Sequence, residues 1–410
     1  MFQVHKPIFL KGGNLIDGNG FILKSAGIII DGERISQVGP LSELTIPKDV
    51  EVIDTSEYTL MPGLIDAHMH LFGVTSLNLA VAFLEPNEVL LGRALTDLPK
   101  LINAGFTSVR DVGSPVTIYI KQLIQEGLYQ GPRIKTAYKM LTQTAGHGDL
   151  HMLPLEFNKN RVCDGVDDCR KAAREQFRSG ADFIKICSTG GVLSEKDDPR
   201  FSQFTIDEIK AIVYEAEAVG SFVASHAQGT QGIKNALIAG VKTIEHGIFI
   251  DDEGIELMLK RDAILVPTLS IVHRLITEGK NHGVPEFGLR KSKKVYEIHQ
   301  INMRKAYEAG VQMAIGSDFV GCSPVPHGEN ALELDLFVND LGFSPMEAIV
   351  ASTKTAAKAM DMEDEIGTIE VGKYADILVV SGNPAENIKV LLDTNNIKKV
   401  FVGGKLLKDI

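Results

Sequence analysis

Short apolar runs recur through the middle of the chain, and the longer segments between them place apolar residues at helical spacing. Several of these helical segments end at a glycine just before the next apolar run, which is the usual helix terminator. The predicted strands are 64–70, 107–112, 134–141, 183–187, 222–227, 243–246, 265–269 and 312–318. The predicted helices include 86–103, 166–179, 206–219, 232–238 and 252–260. This α/β alternation predicts a TIM-like (β/α)8 barrel.

The two ends of the chain have a different pattern, with short strands separated by glycine-containing turns. Strands are predicted near the N-terminus at 8–10, 21–30 and 34–38. Strands of the same kind are predicted near the C-terminus at 372–380 and 398–407. We therefore expect one small discontinuous β-sandwich domain built from both termini. The predicted divisions are 1–61 for its first part, 62–365 for the barrel and 366–410 for its second part.

A doubly wound open sheet is the structural alternative for the middle of the chain. Such a fold, as a nucleotide binder, would need a glycine-rich phosphate loop after its first strand. Here that strand ends in His68-Met69-His70 instead. The pattern favours the barrel.

The composition limits the kind of partner. The 410 residues carry a formal net charge of −11, so a nucleic-acid partner is not expected. The sequence has no apolar run of the roughly 18 residues that a membrane span needs. The N-terminal residues lack the basic and apolar regions of a secretory signal. The four cysteines include no Cys-x-x-Cys pair and are interpreted as free thiols, so we expect a cytoplasmic protein.

Six polar side chains interrupt or end the predicted strands of the barrel. In a barrel, the carboxyl ends of the strands carry the functional residues. Imidazole and carboxylate groups together suit zinc or a related divalent ion. The sequence therefore predicts a metal centre in which these side chains converge. They are His68, His70, Lys185, His226, His246 and Asp318.

Lys185 needs an explanation of its own, because an ammonium group cannot bind a cation. Burial lowers the pKa of a lysine, and the neutral amine can react with CO2 to form a carbamate. A carbamate is a carboxylate on a long arm and can bridge two metal ions. We therefore expect two divalent ions, Zn²⁺, and a carbamate on Lys185.

These residues and their flanking motifs resemble the amidohydrolase superfamily over nearly the whole chain. The closest resemblance within it is to the metal-dependent dipeptidases related to imidazolonepropionase, a group with prolidases and Xaa-Arg/Lys dipeptidases or carboxypeptidases. The motifs are Pro62-Gly63-Leu64-Ile65-Asp66-x-His68-x-His70, Lys185-Ile-x-x-Thr189-Gly190-Gly191-Val192, Ser225-His226-Ala227-x-Gly229, Ile244-Glu245-His246-Gly247 and Gly367-x-Ile369-x-x-Gly372-Lys373-x-Ala375-Asp376.

The resemblance implies that His68, His70 and Asp318 hold one metal ion, and that His226 and His246 hold the other. It implies amide hydrolysis in Xaa-Pro or Xaa-Lys/Arg dipeptides or N-acyl amino acids, by a hydroxide formed between two zinc ions. Asp318 would serve as base and then as acid.

The resemblance also places His147 where a histidine stabilises the oxyanion. Gly190 and Gly191 follow the fourth strand and are candidates for binding a substrate carboxylate through backbone N–H groups, or form a simple turn. Arg274 and His327 are candidates for contact with the substrate terminus. Four acidic residues are candidates for a pocket that accepts a basic side chain, or are solvated loop charges: Asp149, Glu195, Asp197 and Asp198. His5, His282 and His299 are interpreted as surface residues.

Other functions remain open at this stage. A cyclic-amide hydrolase of the same superfamily would keep Lys185, whereas a deaminase usually uses one metal and lacks the bridging lysine. A catalytically inactive scaffold should have lost ligands, and none of the six is missing. The expected partner is a small-molecule amide or dipeptide, and by resemblance the protein forms a homo-oligomer.

Overall fold

The computed structural model describes residues 6–410. Residues 1–5, which include His5 and the start of the predicted terminal β-unit, lie outside the described residues. The strands are β1 (Ile8–Lys11), β2 (Asn14–Ile16), β3 (Ile22–Lys24), β4 (Ala26–Asp31), β5 (Arg34–Pro40), β6 (Glu51–Asp54), β7 (Thr59–Pro62), β8 (Leu64–Met69), β9 (Phe106–Asp111), β10 (Arg133–Thr136), β11 (Leu141–Thr142), β12 (Arg161–Val162), β13 (Ile184–Cys187), β14 (Val223–Ala227), β15 (Thr243–His246), β16 (Ile264–Val266), β17 (Ile377–Val380), β18 (Ile397–Val402) and β19 (Lys405–Asp409).

Helices separate the strands of the middle of the chain, as the sequence pattern predicts. The helices are α1 (Leu79–Leu84), α2 (Asn87–Ala94), α3 (Leu98–Asn103), α4 (Thr117–Gln125), α5 (Val166–Ser179), α6 (Ile206–Glu217), α7 (Thr230–Ala239), α8 (Asp252–Arg261), α9 (Leu269–Thr277), α10 (Glu286–Glu308), α11 (Leu332–Leu336), α12 (Pro345–Ser352) and α13 (Lys354–Ala359). No helix of residues 6–410 is long and apolar enough to cross a membrane.

Local sequence explains where several helices begin and end. Thr205 and Ser344 each cap a helix start in a reciprocal capping box, with Glu208 and Glu347 as the third residues of α6 and α12. Helix α5 ends at Gly180 in the left-handed conformation, which a glycine adopts without steric cost. These signals set the helix lengths that return the chain to the next strand.

The middle of the chain is a mixed α/β structure with parallel strands. Within residues 6–410, these strands form two sheets rather than one closed ring of eight, with orders β10-β9-β8 and β12-β11-β13-β14-β15-β16. The predicted third strand, 134–141, is divided into β10 and β11. Tyr138 between them has a φ of +59°, which breaks extended pairing. The chain therefore passes from one sheet to the other at this point.

The predicted eighth strand, 312–318, is not a regular strand. The segment makes one parallel bridge, from Met313 to Leu265, and its other backbone pairing consists of separate hydrogen bonds. Ala67 N–H donates to Ile315 O (2.9 Å) and Asp318 N–H donates to His68 O (2.6 Å). The segment thus lies between β16 and β8, and the left-handed φ of +57° at Asp318 ends its extended course.

The strands of the two termini share a six-stranded sheet, in the order β19-β18-β17-β7-β2-β3. Its central contact joins β7 near the N-terminus to β17 near the C-terminus, antiparallel, with Leu60 opposite Val379. A second, four-stranded sheet has the order β5-β4-β1-β6. Residues of both sheets, such as Ile28 and Ile377, belong to one buried cluster that is separate from the main core.

Candidate metal centre and active-site cavity

The two histidines at the end of β8 both face Asp318. Nε2 of His68 lies 3.5 Å and Nε2 of His70 3.2 Å from Asp318 Oδ1. The other nitrogen of each ring is occupied, because His68 Nδ1 lies 2.6 Å from Glu245 Oε2 and His70 Nδ1 lies 2.9 Å from Gly113 O. One donor atom from each of the three residues lies within 4.8 Å of the others, so the group could hold a metal ion.

His226 and His246 end the adjacent parallel strands β14 and β15, with Ala227 opposite His246 in the register. Their ring centroids are 4.6 Å apart, and the ring of His246 is 5.0 Å from that of His68. His226 Nε2 lies 3.0 Å from Gly190 O and His246 Nδ1 lies 2.7 Å from Thr268 Oγ1. In each ring one nitrogen takes part in these contacts and the other does not. This is the arrangement expected of metal-binding histidines.

Burial keeps these two imidazoles neutral. Loss of solvation holds the pKa of His226 and of His246 well below the ordinary histidine value, and neighbouring histidines lower it further. A neutral imidazole offers a lone pair to a metal ion without first losing a proton. The charge state of both side chains therefore suits metal binding.

Lys185 lies on β13 and is 1% exposed. It lines the same cavity as the four histidines and Asp318. Within residues 6–410 its ammonium group has no ion-pair partner closer than 4.0 Å. Burial lowers its pKa below the ordinary lysine value. The position thus fits a lysine that is present as the neutral amine, which is the form that a carbamate requires.

Asp318 is held in position by a buried polar network behind β8. Asp66 accepts hydrogen bonds from the Ser317 hydroxyl (2.6 Å) and from the Asn330 side-chain amide (2.8 Å), as well as from the His68 backbone N–H (3.1 Å). A Cβ on Gly316 would lie 2.7 Å from His68 Cβ, so only glycine allows this approach. Asp66 thereby holds the backbone of His68 and, through Ser317, the residue next to Asp318, so it positions both partners of the His68–Asp318 contact.

Glu245 is a candidate functional residue to which sequence reasoning assigned no role. Besides His68, it binds Arg110, whose guanidinium donates to both carboxylate oxygens at 2.8 Å and 3.0 Å. Both side chains are fully buried. Burial opposes ionisation of Glu245, but the charge of Arg110 and the bond to His68 hold its pKa below the ordinary value. The available signal was a charged residue next to His246 within an apolar strand.

His147 lies in the loop after β11 and stacks on His226, with ring centroids 4.2 Å apart. Its Nδ1 lies 2.7 Å from Ser194 Oγ and 3.3 Å from Asp197 Oδ2. A Cβ on Gly191 would lie 2.3 Å from His147 Cε1. Gly191 therefore makes room for the imidazole.

Lys291 on α10 holds the loop that contacts His147. Its ammonium group donates to the backbone carbonyls of Gly191 (3.1 Å) and Ser194 (2.6 Å), and also to that of Asp197. It lies 3.3 Å from the Asp197 carboxylate. Burial raises the pKa of Asp197, but His147, Ser194 and Lys291 together lower it below the ordinary value. The loop is thus attached to a long helix through one lysine.

The predicted substrate-binding residues do not line the cavity. The N–H groups of Gly190 and Gly191 already donate to Phe201 O and Asp197 Oδ2, so they offer no open anion site. Arg274 pairs with Glu278 and Glu329. His327 is buried, with Nε2 3.1 Å from His70 O.

His299, interpreted from the sequence as a surface residue, is buried and lines the cavity; His282 is exposed. The interpretation of His299 is wrong because the face of α10 that carries His299 packs against the protein interior. His299 Nε2 lies 3.0 Å from His246 O.

The chain is similar to known proteins over nearly its whole length. The model of the Amidohydrolase family matches residues 59–407. An ochratoxinase from Aspergillus niger is 33% identical over 98% of this chain and 87% of its own length. An imidazolonepropionase from Fusobacterium nucleatum is 25% identical over 96% of this chain and 92% of its own. The crystal structure of a prolidase complexed with N-methylphosphonate-L-proline has a TM-score of 0.92 at 35% identity, over 99% of this chain and 100% of that chain.

Proposed function

This chain belongs to the amidohydrolase family, and its named relatives hydrolyse C–N bonds; we propose that it hydrolyses an amide bond in a dipeptide or an N-acyl amino acid. One observation carries the proposal. The four histidines, Lys185 and Asp318, which come from distant parts of the sequence, line one buried cavity. The named similarities to a prolidase and an ochratoxinase support an amide substrate.

In this proposal the site holds two divalent metal ions, Zn²⁺, with His68, His70 and Asp318 as ligands of one and His226 and His246 as ligands of the other. Nε2 of His68 and of His70 faces the proposed fellow ligand Asp318, and one nitrogen of His226 and of His246 is not engaged by the bonds to Gly190 and Thr268. These positions support the assignment. Lys185 would carry a carbamate and serve as a further anionic ligand, and the buried position of this lysine supports that role. When bound, such ions supply Lewis acidity and lower the pKa of water.

The side chains have separate tasks in the proposed reaction. Asp318 accepts a proton from the attacking water and passes it to the leaving nitrogen, as base and then acid. His147 donates a hydrogen bond to the carbonyl oxygen of the scissile amide as negative charge develops there. The bonds from His147 to Ser194 and Asp197 orient its ring for that contact.

The fold proposed for this function is a (β/α)8 barrel over residues 62–365, closed by the segment 312–318 between β16 and β8. The hydrogen bonds of that segment to both strands support closure. A small β-sandwich domain of residues 1–61 and 366–410 completes the chain. The shared sheet of the two termini supports this division.

The proposal also covers location and assembly. We propose that the enzyme is cytoplasmic and forms a homo-oligomer. Four buried free cysteines support a reducing compartment. Size-exclusion chromatography with light scattering tests the oligomer. A mass equal to one chain contradicts it.

The retained Lys185 disfavours a deaminase, and a complete ligand set disfavours an inactive scaffold. The decisive experiment uses protein expressed with zinc and bicarbonate. Metal analysis is expected to give two ions per chain, and mass spectrometry is expected to detect cleavage in a panel of dipeptides and N-acyl amino acids. Asp318→Asn is the inactive control. Two bound ions without cleavage of any panel member would favour a cyclic-amide hydrolase, and a metal-free, inactive protein would favour a scaffold.

A further inference from the structure

The cavity around the candidate metal centre has apolar walls. Phe72 and Phe83 line it as a stacked pair, with ring centroids 5.7 Å apart and an interplanar angle of 17°. Leu150, Val192 and Ile271 line it from three other loops or helices. Each of these five side chains is at least nine-tenths buried. The wall is therefore an apolar surface contributed by several separate parts of the chain.

Among the residues that the structure describes, the cavity lining contains no charged group that is free to pair with a charged side chain of a substrate. Within residues 6–410, Asp318 is the sole carboxylate in its lining and Lys185 the sole ammonium group, and both belong to the proposed metal centre. The other polar side chains in the lining are neutral or are histidines, and Gln228 is an example with no hydrogen-bond partner at its Oε1. A basic side chain bound here would be desolvated without a counter-charge.

The acidic residues that the sequence offered for a basic side chain are absent from the cavity lining: Asp149, Glu195, Asp197 and Asp198. Asp197 already faces Lys291 at 3.3 Å, and Asp198 pairs with Arg200 at 2.8 Å. The Asp149 carboxylate accepts the Ala145 N–H at 2.8 Å. Glu195, Asp197 and Asp198 instead line a separate surface pocket together with the basic residues Arg290, Lys291 and Lys294. The acidic segment therefore does not supply a counter-charge to the cavity at the candidate metal centre.

We propose, on the basis of the amide-hydrolase function above, that the substrate carries a bulky uncharged apolar side chain next to the scissile amide. A branched aliphatic or aromatic side chain packs against Phe72 and Phe83, and lysine or arginine is rejected at this position. The physical reason is that burial of apolar surface stabilises the bound state, whereas an unpaired ammonium in the same place destabilises it.

The test compares two dipeptide series on the zinc-loaded enzyme: Ala-Leu, Ala-Phe and Ala-Lys, and Leu-Ala, Phe-Ala and Lys-Ala. In at least one series, kcat/KM for the apolar members is expected to exceed that for the lysine member by about 100-fold. Equal or better hydrolysis of the lysine member in both series overturns the inference while leaving amide hydrolysis in place.

A binding measurement separates this inference from the proposed function. Calorimetry uses Asp318→Asn whose metal content has first been measured as two ions per chain, since Asp318 is itself a proposed ligand. The measurement needs no turnover, and the variant is expected to bind the apolar dipeptides more tightly than the lysine dipeptides. If wild type cleaves neither dipeptides nor N-acyl amino acids, the proposed function fails, and the calorimetry still decides the inference. Equal affinities for both kinds of dipeptide overturn it.

A matched pair of variants on α1 locates the pocket. Phe83 lines the cavity, whereas the adjacent Leu84 is 55% exposed and does not. Phe83→Asp is expected to reduce the ratio of apolar to lysine hydrolysis by about tenfold or more, and Leu84→Asp is expected to leave it unchanged. If Phe83→Asp does not fold, Phe83→Ala is expected to lose hydrolysis of Phe and Leu substrates relative to Ala-Ala. Unchanged ratios in the folded Phe83 variant overturn the assignment.

Discussion

Oε2 of Glu245 lies 2.6 Å from Nδ1 of His68, and both side chains are buried beneath the candidate metal centre. This contact directs the proton of His68 to Nδ1 and leaves Nε2 facing Asp318. A carboxylate behind a histidine ligand orients the ring and increases its basicity. Glu245 therefore links Arg110, its buried ion-pair partner, to the imidazole of His68 in the candidate metal centre.

Replacement of Glu245 is expected to weaken metal binding. We predict that Glu245→Gln lowers the affinity for Zn²⁺ by about 10- to 100-fold, because His68 loses its anionic partner. Competition with a chromophoric chelator measures the affinity. An unchanged affinity in the folded variant would contradict the role of Glu245.

Stability is the control for this experiment, because Glu245→Gln also leaves the buried Arg110 without its counter-charge. Loss of one partner of a buried pair is expected to lower the free energy of unfolding by about 3–5 kcal/mol. The double variant Arg110→Met/Glu245→Gln removes the unpaired charge. It is expected to recover part of this stability without recovering metal affinity. Recovery of both would show that the single variant acted through folding.

His147 is predicted to act on the reaction rather than on metal binding. His147→Ala should lower kcat by about 100-fold, because one hydrogen bond to the developing oxyanion is lost. The metal content should stay as in wild type, since the ring stacks on His226 without serving as a ligand in the proposal. Parallel metal analysis and steady-state kinetics measure both quantities. A kcat equal to wild type removes His147 from the mechanism.

Lys291 is predicted to be a positioning residue for His147. Lys291→Met frees the loop that carries Ser194 and Asp197, so kcat should fall by about tenfold or more as the imidazole loses its fixed orientation. Lys291→Arg should recover part of the loss, because a guanidinium can reach the same carbonyls. Lys293→Met, on the exposed side of the same helix, is the matched control. Equal losses in the Met and Arg variants would contradict a positioning role.

Glu333 is predicted to make stability depend on pH. Burial raises its pKa to about 8, even though the N–H groups of Leu269 and Ser270 donate to its oxygens. The folded chain therefore holds a proton that the unfolded chain releases near the ordinary glutamate value. The contribution of this proton to stability is present at low pH and is lost as the pH rises through about 8.

Urea unfolding of wild type and Glu333→Gln over about pH 6 to 9 measures this dependence. The free energy of unfolding of wild type should fall more steeply with pH than that of the variant, which has no proton to lose at this position. The difference between the two proteins cancels the pH dependence of all other groups. Parallel curves would contradict a protonated Glu333.

The four cysteines are predicted to be free but unreactive in the folded protein. All four are buried, and burial raises the pKa of Cys187 to about 12 and that of Cys322 to about 11. The reactive thiolate is therefore scarce near neutral pH. A thiol reagent should find four thiols per chain after denaturation without reductant, and little reaction beforehand. Fewer than four would reveal a disulfide, for example between Cys163 and Cys169, whose sulfur atoms are 3.7 Å apart.

Much of the architecture could be predicted from local pattern, because the spacing of apolar residues and the glycine and capping signals act within a few residues. Helix α5 matches its predicted bounds, 166–179. The third and eighth strands were less predictable. The turn at Tyr138 and the left-handed Asp318 are backbone states that contacts with other segments select, and no side-chain pattern within 134–141 or 312–318 specifies them.

The sequence by itself determined the chemistry available to this protein: histidines, a lysine and an aspartate at strand ends, and the membership of the chain in its family. The tertiary structure decided which groups surround them. It paired Glu245 with His68, turned His299 inward and gave the cavity apolar walls. These relationships join residues far apart in the chain. They depend on packing between elements, which local spacing does not encode.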